Sequence, residues 1–341
     1  MEENNEIKNN QNISQTEQLD ENNANNIQNS QPNTQNNSLK KVNIRHIIRP
    51  IVFVAILLTI ILSLGNLFAI TLDVKIVRIT GYREEKANSL DFVAIGNSEI
   101  YCAYAPAVMF KEYGYTSYNC GQTQQTMQQT YGWLQDIFKY QSPSLIIWEI
   151  ENIFEYKPIT VQTFADNFGL FMRHDNWKQL GILTNKKGRE EARRSKGFVR
   201  IDGVEGYFGG NSYMTRTDLK MDTHKKYIKY IEKIVNICKQ HNAELLLVKT
   251  ASRVWSNDRY DATQKIADQY NLKYIDFNTN YDSSGIDLKI HTRDGGKHLN
   301  TDGARITTEF IGNFIDNNYS LTKKNNYDQT SWDLCVKDFY G

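Results

Sequence analysis

Cysteine and proline are scarce in this chain, with four and five in 341 residues. Four thiols cannot make a disulfide framework at this length, and no two of them have the spacing of a metal knuckle. An excess of charge of either sign is missing too. Forty Lys and Arg against 39 Asp and Glu leave a formal charge of +1. No basic block extends beyond a short cluster, which excludes a binder of nucleic acid that works by neutralising phosphates. Long apolar runs are limited to one, too few for a transporter or channel. Disorder throughout is excluded as well, because 40% of residues are hydrophobic and 12% aromatic.

The average hides three unlike segments. Residues 1–38 contain 13 Asn and 6 Gln, six acids and one base. So little aliphatic content cannot offset backbone entropy, and the segment reads as a disordered, solvated tail. Residues 39–50 form a basic juxtamembrane stretch with Lys40, Lys41, Arg45 and Arg49. The run from Ile51 to Leu72 holds no charge. As a helix it spans roughly 33 Å, enough to cross a hydrocarbon core of about 30 Å. It is longer than a signal-peptide core, and no small-residue cleavage pattern follows it, so it reads as an uncleaved anchor. The flanking charges lean towards a cytoplasmic N-terminus and an extracellular C-terminal domain.

Beyond the anchor, strand-like and helix-like patterns alternate. Strands are expected at Asp91–Ile95, Tyr115–Asn119, Ser144–Ile150, Glu244–Val248 and Lys273–Phe277. Helices are expected near residues 100–113, 124–140 and 258–271, and from Thr301 onwards. Another carries Ile228, Ile231, Ile234, Val235 and Cys238 on one buried face. Residues 153–222 are irregular and read as an insertion. Five apolar strands with helices between them predict a parallel sheet covered on both faces, an α/β fold. In such sheets the chemistry sits at the carboxyl ends of the strands.

Four strand ends carry polar groups. The first runs into Gly96-Asn97-Ser98-Glu99, which places a serine at a helix start. That serine is either a nucleophile or an ordinary helix cap. The second ends in Asn119-Cys120-Gly121, and the third in Glu149-Ile150-Glu151-Asn152. A glycine there admits close backbone approach, and an Asn amide can donate to a developing negative charge. After the fifth strand comes Asp294-Gly295-Gly296-Lys297-His298-Leu299-Asn300, a histidine with an acid four residues earlier.

In that order these blocks resemble the SGNH (GDSL-like) hydrolases. The likeness rests on Gly96-Asn97-Ser98, Gly121, Asn152, His298-Leu299-Asn300 and the following Gly303-Ala304, and it covers residues 88–318. The resemblance implies a flavodoxin-like three-layer α/β/α sandwich and ester chemistry without cofactor or metal. It implies Ser98 as nucleophile, His298 as general base, and an oxyanion hole from Ser98, Gly121 and Asn152. Two departures stand out. Only the Asn of the family's Gly-x-Asn-Asp block is kept, and the position of the acid three residues before His298 is Gly295. Asp294 must therefore reach His298 through a bulge, or a serine–histidine dyad works with a backbone carbonyl. Asp287 is a further candidate acid.

The resemblance also implies a substrate, an acylated cell-envelope glycan or another ester, with a membrane acyl-donor protein as a further partner. One envelope group, which transfers D-alanine to lipoteichoic acid, combines an anchor with a block like Gly96-Asn97-Ser98-Glu99. A catalytically inactive scaffold is the competing expectation. In the insertion, Lys186-Lys187-Gly188-Arg189 and Arg193-Arg194-Ser195-Lys196 read as a solvated helix face rather than an anionic-polymer groove beside Trp177, Tyr207 and Phe208. Cys238 reads as a buried thiol. Cys102 and Cys120 fall near the expected site, and Cys335 lies in a C-terminal extension, 319–341.

Overall fold

The computed structural model describes residues 44–72, 74–154, 186–218 and 225–341. The amide-rich tail, Trp177 and half of the insertion lie outside them. The chain divides into residues 1–56 and 57–341. Helix α1 covers Ile44–Leu72, with Pro50 inside it. Its stretch Ile44–Ser63 has a mean hydropathy of 2.3, and none of it is buried in protein. It is long and apolar enough to cross a membrane.

In the larger unit, α2 (Val74–Thr80) is followed by a 3-10 turn whose Tyr82 is fully buried. Then come β1 (Phe92–Ile95), α3 (Ser98–Ala103), α4 (Pro106–Tyr113), β2 (Ser117–Asn119), α5 (Met127–Tyr140) and β3 (Leu145–Glu149). After a 3-10 turn at Glu151–Ile153 the chain is described again from α6 (Lys186–Arg194). The order continues with α7 (Lys225–Gln240), β4 (Glu244–Lys249), α8 (Asn257–Tyr270), β5 (Lys273–Asp276), α9 (Tyr281–Ser284), α10 (Thr301–Asn318) and α11 (Gln329–Tyr340). All five strands are parallel, in the order β2-β1-β3-β4-β5. Strands β1 and β3 are buried along their whole length, as near-continuous apolar runs require. This is the expected flavodoxin-like α/β architecture. The strand order reverses beside β1, where open parallel sheets form their ligand crevice.

Registers align the strand ends that matter. Ile95 lies opposite Trp148, Glu149 opposite Val248, and Lys249 opposite Asp276. The residues just past β1, β3 and β4 therefore meet along one edge.

Several expectations shift. The helix expected near 100–113 is two helices, broken at Tyr104 and Ala105, because Pro106 starts a new helix and disfavours helical backbone before it. On α7 the buried row runs through Tyr227, Ile231, Ile234, Val235 and Cys238, while Ile228 at its margin is exposed. The packed unit extends beyond 88–318 at both ends. Trp332 and Cys335 of α11 are buried, and the Trp332 ring stacks on Phe110 of α4. The second basic cluster, Arg193-Arg194-Ser195-Lys196, is ion-paired. Arg193 pairs with Glu84 at 2.6 Å and Arg194 with Asp338 at 3.1 Å, and buried Lys196 binds Glu85 at 2.6 Å.

Candidate active site

Gly96 leaves β1 with φ +155°, and a Cβ on it would stand 2.8 Å from Cβ of Glu149. Only glycine lets the chain turn this tightly against β3. The next residue, Asn97, caps α3, its side-chain oxygen accepting from the Glu99 N–H at 2.9 Å. Asn97 thus takes the cap, and Ser98 is the first helical residue with its hydroxyl free for another partner. That partner is His298, whose Nε2 lies 2.8 Å from Ser98 Oγ.

His298 enters from the other end of the chain. Leu299 is buried, and Asn300 caps α10 by accepting from Gly303 N–H at 3.0 Å. The Asn300 amide also donates to the Ile290 carbonyl at 2.8 Å. The His-Leu-Asn block is therefore an anchor for the histidine as well as a helix start. Asp294 Oδ2 lies 2.5 Å from His298 Nδ1, and Oδ1 accepts from the His298 N–H at 2.8 Å. Gly295 and Gly296, at φ +69° and +91°, let the chain coil enough for this four-residue reach. Burial works to raise the Asp294 carboxyl, but hydrogen bonds from the His298 ring and backbone outweigh it and hold it below its ordinary value. With Asp294 accepting a hydrogen bond from Nδ1–H, Nε2 is left to accept from the Ser98 hydroxyl. Asp287 faces away from this chain of bonds, its carboxylate accepting from Lys289 N–H at 2.9 Å.

The expected oxyanion donors are arranged differently. Ser98 N–H, at the first helical position, has no intrahelical acceptor. Gly121 N–H donates to Asn119 Oδ1 at 3.1 Å. Asn152 is fully buried, and its amide donates to Thr130 Oγ1 at 2.9 Å. Residues 151–153 wind into a 3-10 turn in which Asn152 is fully buried. Gly121 and Asn152 are thus already hydrogen-bonded within the protein.

The sequence reading passed over a buried charge cluster directly beneath the serine turn. Lys249, at the end of β4, has no solvent exposure. Its ammonium binds Glu99, and it contacts Glu149 and Glu151 at 3.0 Å each. Thr250 Oγ1 donates to Glu99 at 2.7 Å. The carboxylate oxygens lie within 4.8 Å of one another, a spacing that suits a divalent cation, but the lysine already stands among them. Burial raises Glu99, helped by the neighbouring Glu151. Burial also raises Glu149, to about 7, against the pull of Lys249. Glu151 is buried too, yet Lys249 and a hydrogen bond from Glu99 bring it down to about 2. Lys249 is held above its ordinary value because three carboxylates overcome its burial.

This cluster sets a pH dependence of stability. Glu149 keeps its proton more tightly in the fold than in the unfolded chain, whose ordinary value is 4.5. Its contribution is full below that value and is lost as pH rises through about 7. Glu151 works in the opposite direction, losing its contribution as pH falls towards about 2. Between pH 5 and 8, the Tm of the Glu149→Gln chain is expected to fall less steeply than that of the parent. Calorimetry at a series of pH values reads this, and parallel slopes would contradict it.

A second network steadies the histidine loop. Asp276 at the end of β5 accepts from Trp255 Nε1 and Tyr274 at 2.7 Å each, and from Asn278. Asn278 accepts from Ser252 N–H at 2.8 Å, and Ser252 donates its hydroxyl to the Lys297 carbonyl at 3.0 Å. His298 is the next residue. All four cysteines are buried, free thiols. Burial raises Cys102, one turn after Ser98, to about 12, which leaves it a neutral thiol. A cavity of about 360 Å³ lined by Ala105, Arg194, Phe198 and Phe339 lies apart from Ser98.

No family model and no curated protein matches this chain. Solved structures do. The acetyl xylan esterase AlAXEase is 16% identical, over 66% of this chain and 99% of its own, with a TM-score of 0.38. A GDSL-like lipase from Bacteroides thetaiotaomicron VPI-5482 is 13% identical, over 67% and 88%, with a TM-score of 0.35. The psychrotrophic esterase EstA from Pseudoalteromonas sp. is 11% identical, over 67% and 97%, with a TM-score of 0.38.

Proposed function

We propose that this chain is a membrane-anchored serine esterase or O-acyltransferase of the SGNH type, acting on acyl esters of cell-envelope glycans. The observation that carries the reading is the continuous chain Ser98 Oγ, His298 Nε2, His298 Nδ1 and Asp294 Oδ2, at 2.8 and 2.5 Å. Ser98 Oγ attacks the acyl carbonyl carbon as its proton passes to His298 Nε2. Asp294 holds the imidazolium that forms. When the tetrahedral intermediate collapses, the carbon–oxygen bond to the alcohol breaks, and His298 returns the proton to the departing oxygen. Water, or a sugar hydroxyl in the transferase, then attacks acyl-Ser98 with His298 as base again and releases free Ser98.

The Ser98 N–H stabilises the oxyanion, Gly121 joins it only by exchanging its bond to Asn119 for substrate, and Asn152 only by turning out of its buried position. The inactive-scaffold alternative loses the ground it had in the displaced acid, since Asp294 reaches His298. The D-alanyl-transfer alternative rests on Gly96-Asn97-Ser98-Glu99, and Glu99 has a reason of its own to be acidic in its bond to Lys249. Helix α1 anchors the protein, with the N-terminus cytoplasmic and the larger unit outside.

A fluorophosphonate probe tests the reading. The detergent-purified full chain is expected to gain one covalent adduct, located on Ser98 by peptide mass spectrometry, and Ser98→Ala should gain none. A charged, impermeant version should label intact cells. Labelling that survives Ser98→Ala refutes the serine, and labelling only after lysis refutes the outward orientation.

A further inference from the structure

Two arginines beside the catalytic loop have no acidic partner among the described residues. Arg253 is tied to that loop by its own N–H, which donates to the Gly296 carbonyl at 2.7 Å. Its guanidinium lies 5.6 Å from the Tyr207 ring centre, and its Nε is buried without a hydrogen-bond partner. Arg293 directly precedes Asp294. Its Nε is likewise buried and unpartnered, and its Nη2 meets only the Cys102 sulfur at 3.0 Å. A neutral thiol is a weak acceptor, and Cys102 follows Ser98 by one helical turn. Arg83, Arg193, Arg194, Arg200, Arg216 and Arg305 each hold a carboxylate, and Arg78 donates to the Gly197 and Gly121 carbonyls.

The acids nearby are otherwise disposed. Asp294 is engaged by His298, and Glu205, whose backbone straps the loop through Thr292 and Gly295, sets its carboxylate beside Gly295 and makes no ion pair with either arginine among the described residues. Lys297 adds an exposed positive charge, and Phe208 and Val204 on the same strap are 78% and 61% exposed. The terminal nitrogens of both guanidinium groups hold no carboxylate among the described residues. Their planar donor forks suit an oxyanion.

We propose that Arg253 and Arg293 form a subsite for an anionic group, a phosphate or a carboxylate, carried by the ester that Ser98 attacks. This rests on the serine-esterase reading above and adds the charge of its substrate. The strap that bears Val204 and Phe208 offers apolar surface beside that charge. Selectivity then comes from the rim of the site, while Ser98 and His298 handle any ester presented to them.

The test uses the full chain in detergent and three acetate esters: 1-acetylglycerol, 1-acetylglycerol 3-phosphate and 3-acetoxypropanoate. At least one anionic ester is expected to exceed the neutral one in kcat/KM by about tenfold or more. Arg253→Gln and Arg293→Gln should each pull that ratio towards one, chiefly through KM, and Arg253→Lys should restore part of it. Which anion is preferred separates phosphate from carboxylate. Binding of the same esters to Ser98→Ala, followed by calorimetry, reads the subsite without turnover. Equal binding and turnover of neutral and anionic esters, or a ratio untouched in both glutamine variants, overturns the subsite. Cleavage that persists in Ser98→Ala overturns the serine reading instead, and the binding comparison still decides the subsite.

Discussion

Ser98→Ala is expected to lower kcat for ester hydrolysis by about ten-thousandfold or more, with little change in KM. His298→Ala should cost about as much, and the double variant scarcely more than either alone. The reason is that hydroxyl and imidazole act as one unit. Without the base the hydroxyl is a poor nucleophile, and without the hydroxyl the base has no proton to take. The 2.8 Å contact between them is the physical form of that dependence. Asp294→Asn should be milder than either, since Asp294 orients the ring and stabilises its charge without touching the substrate. Steady-state kinetics on an acetyl ester decide this. Multiplying losses in the double variant would show that the two residues work independently, against the proposal.

Lys249→Met is expected to be the most destabilising single change in the larger unit, at about 3–5 kcal/mol. Methionine fits the volume, but it leaves Glu99, Glu149 and Glu151 buried together without their cation. Against a total stability of about 5–15 kcal/mol, such a loss is large enough to empty the folded state in a marginal domain. Adding Glu149→Gln and Glu151→Gln to Lys249→Met should recover much of the loss, because the repulsion then disappears with its sources. Chemical denaturation of the single and combined variants measures the coupling. A triple variant no more stable than Lys249→Met alone would show that the cluster acts through shape and not through charge.

Much of this molecule was legible in its residues, for identifiable reasons. Strands such as Leu145–Glu149 are uninterrupted apolar runs, and burial on both faces leaves such runs few alternatives. Ser98 and His298 stood out because each follows a strand and precedes a helix, a placement that linear order displays. Side-chain direction was not legible. That Asn97 and not Ser98 caps α3, or that Asn152 turns inward to Thr130, depends on contacts with residues far along the chain. The Lys249 cluster draws its members from three strand ends, and no linear motif unites 99, 149, 151 and 249. A lysine ending the apolar run Glu244–Lys249 was the one available clue, since an ammonium in a buried parallel strand must have partners. Residues Gln329–Tyr340 read as an appendage because their apolar content is modest, yet buried Trp332 and Cys335, with the Phe339–Phe198 contact, pack the helix onto the rest of the unit.

The burial of Trp332 has a bearing on biogenesis. The serine and its histidine are separated by 200 positions, and the helix that carries Trp332 comes later still. A ribosome that has finished β1 has released the nucleophile some two hundred codons before its base exists. A growing polypeptide that has not reached His298 therefore has no proposed base, and one that has not reached Trp332 lacks the ring that stacks on Phe110. Chains truncated between His298 and Trp332 would carry every proposed reacting group yet leave Phe110 without its stacking partner.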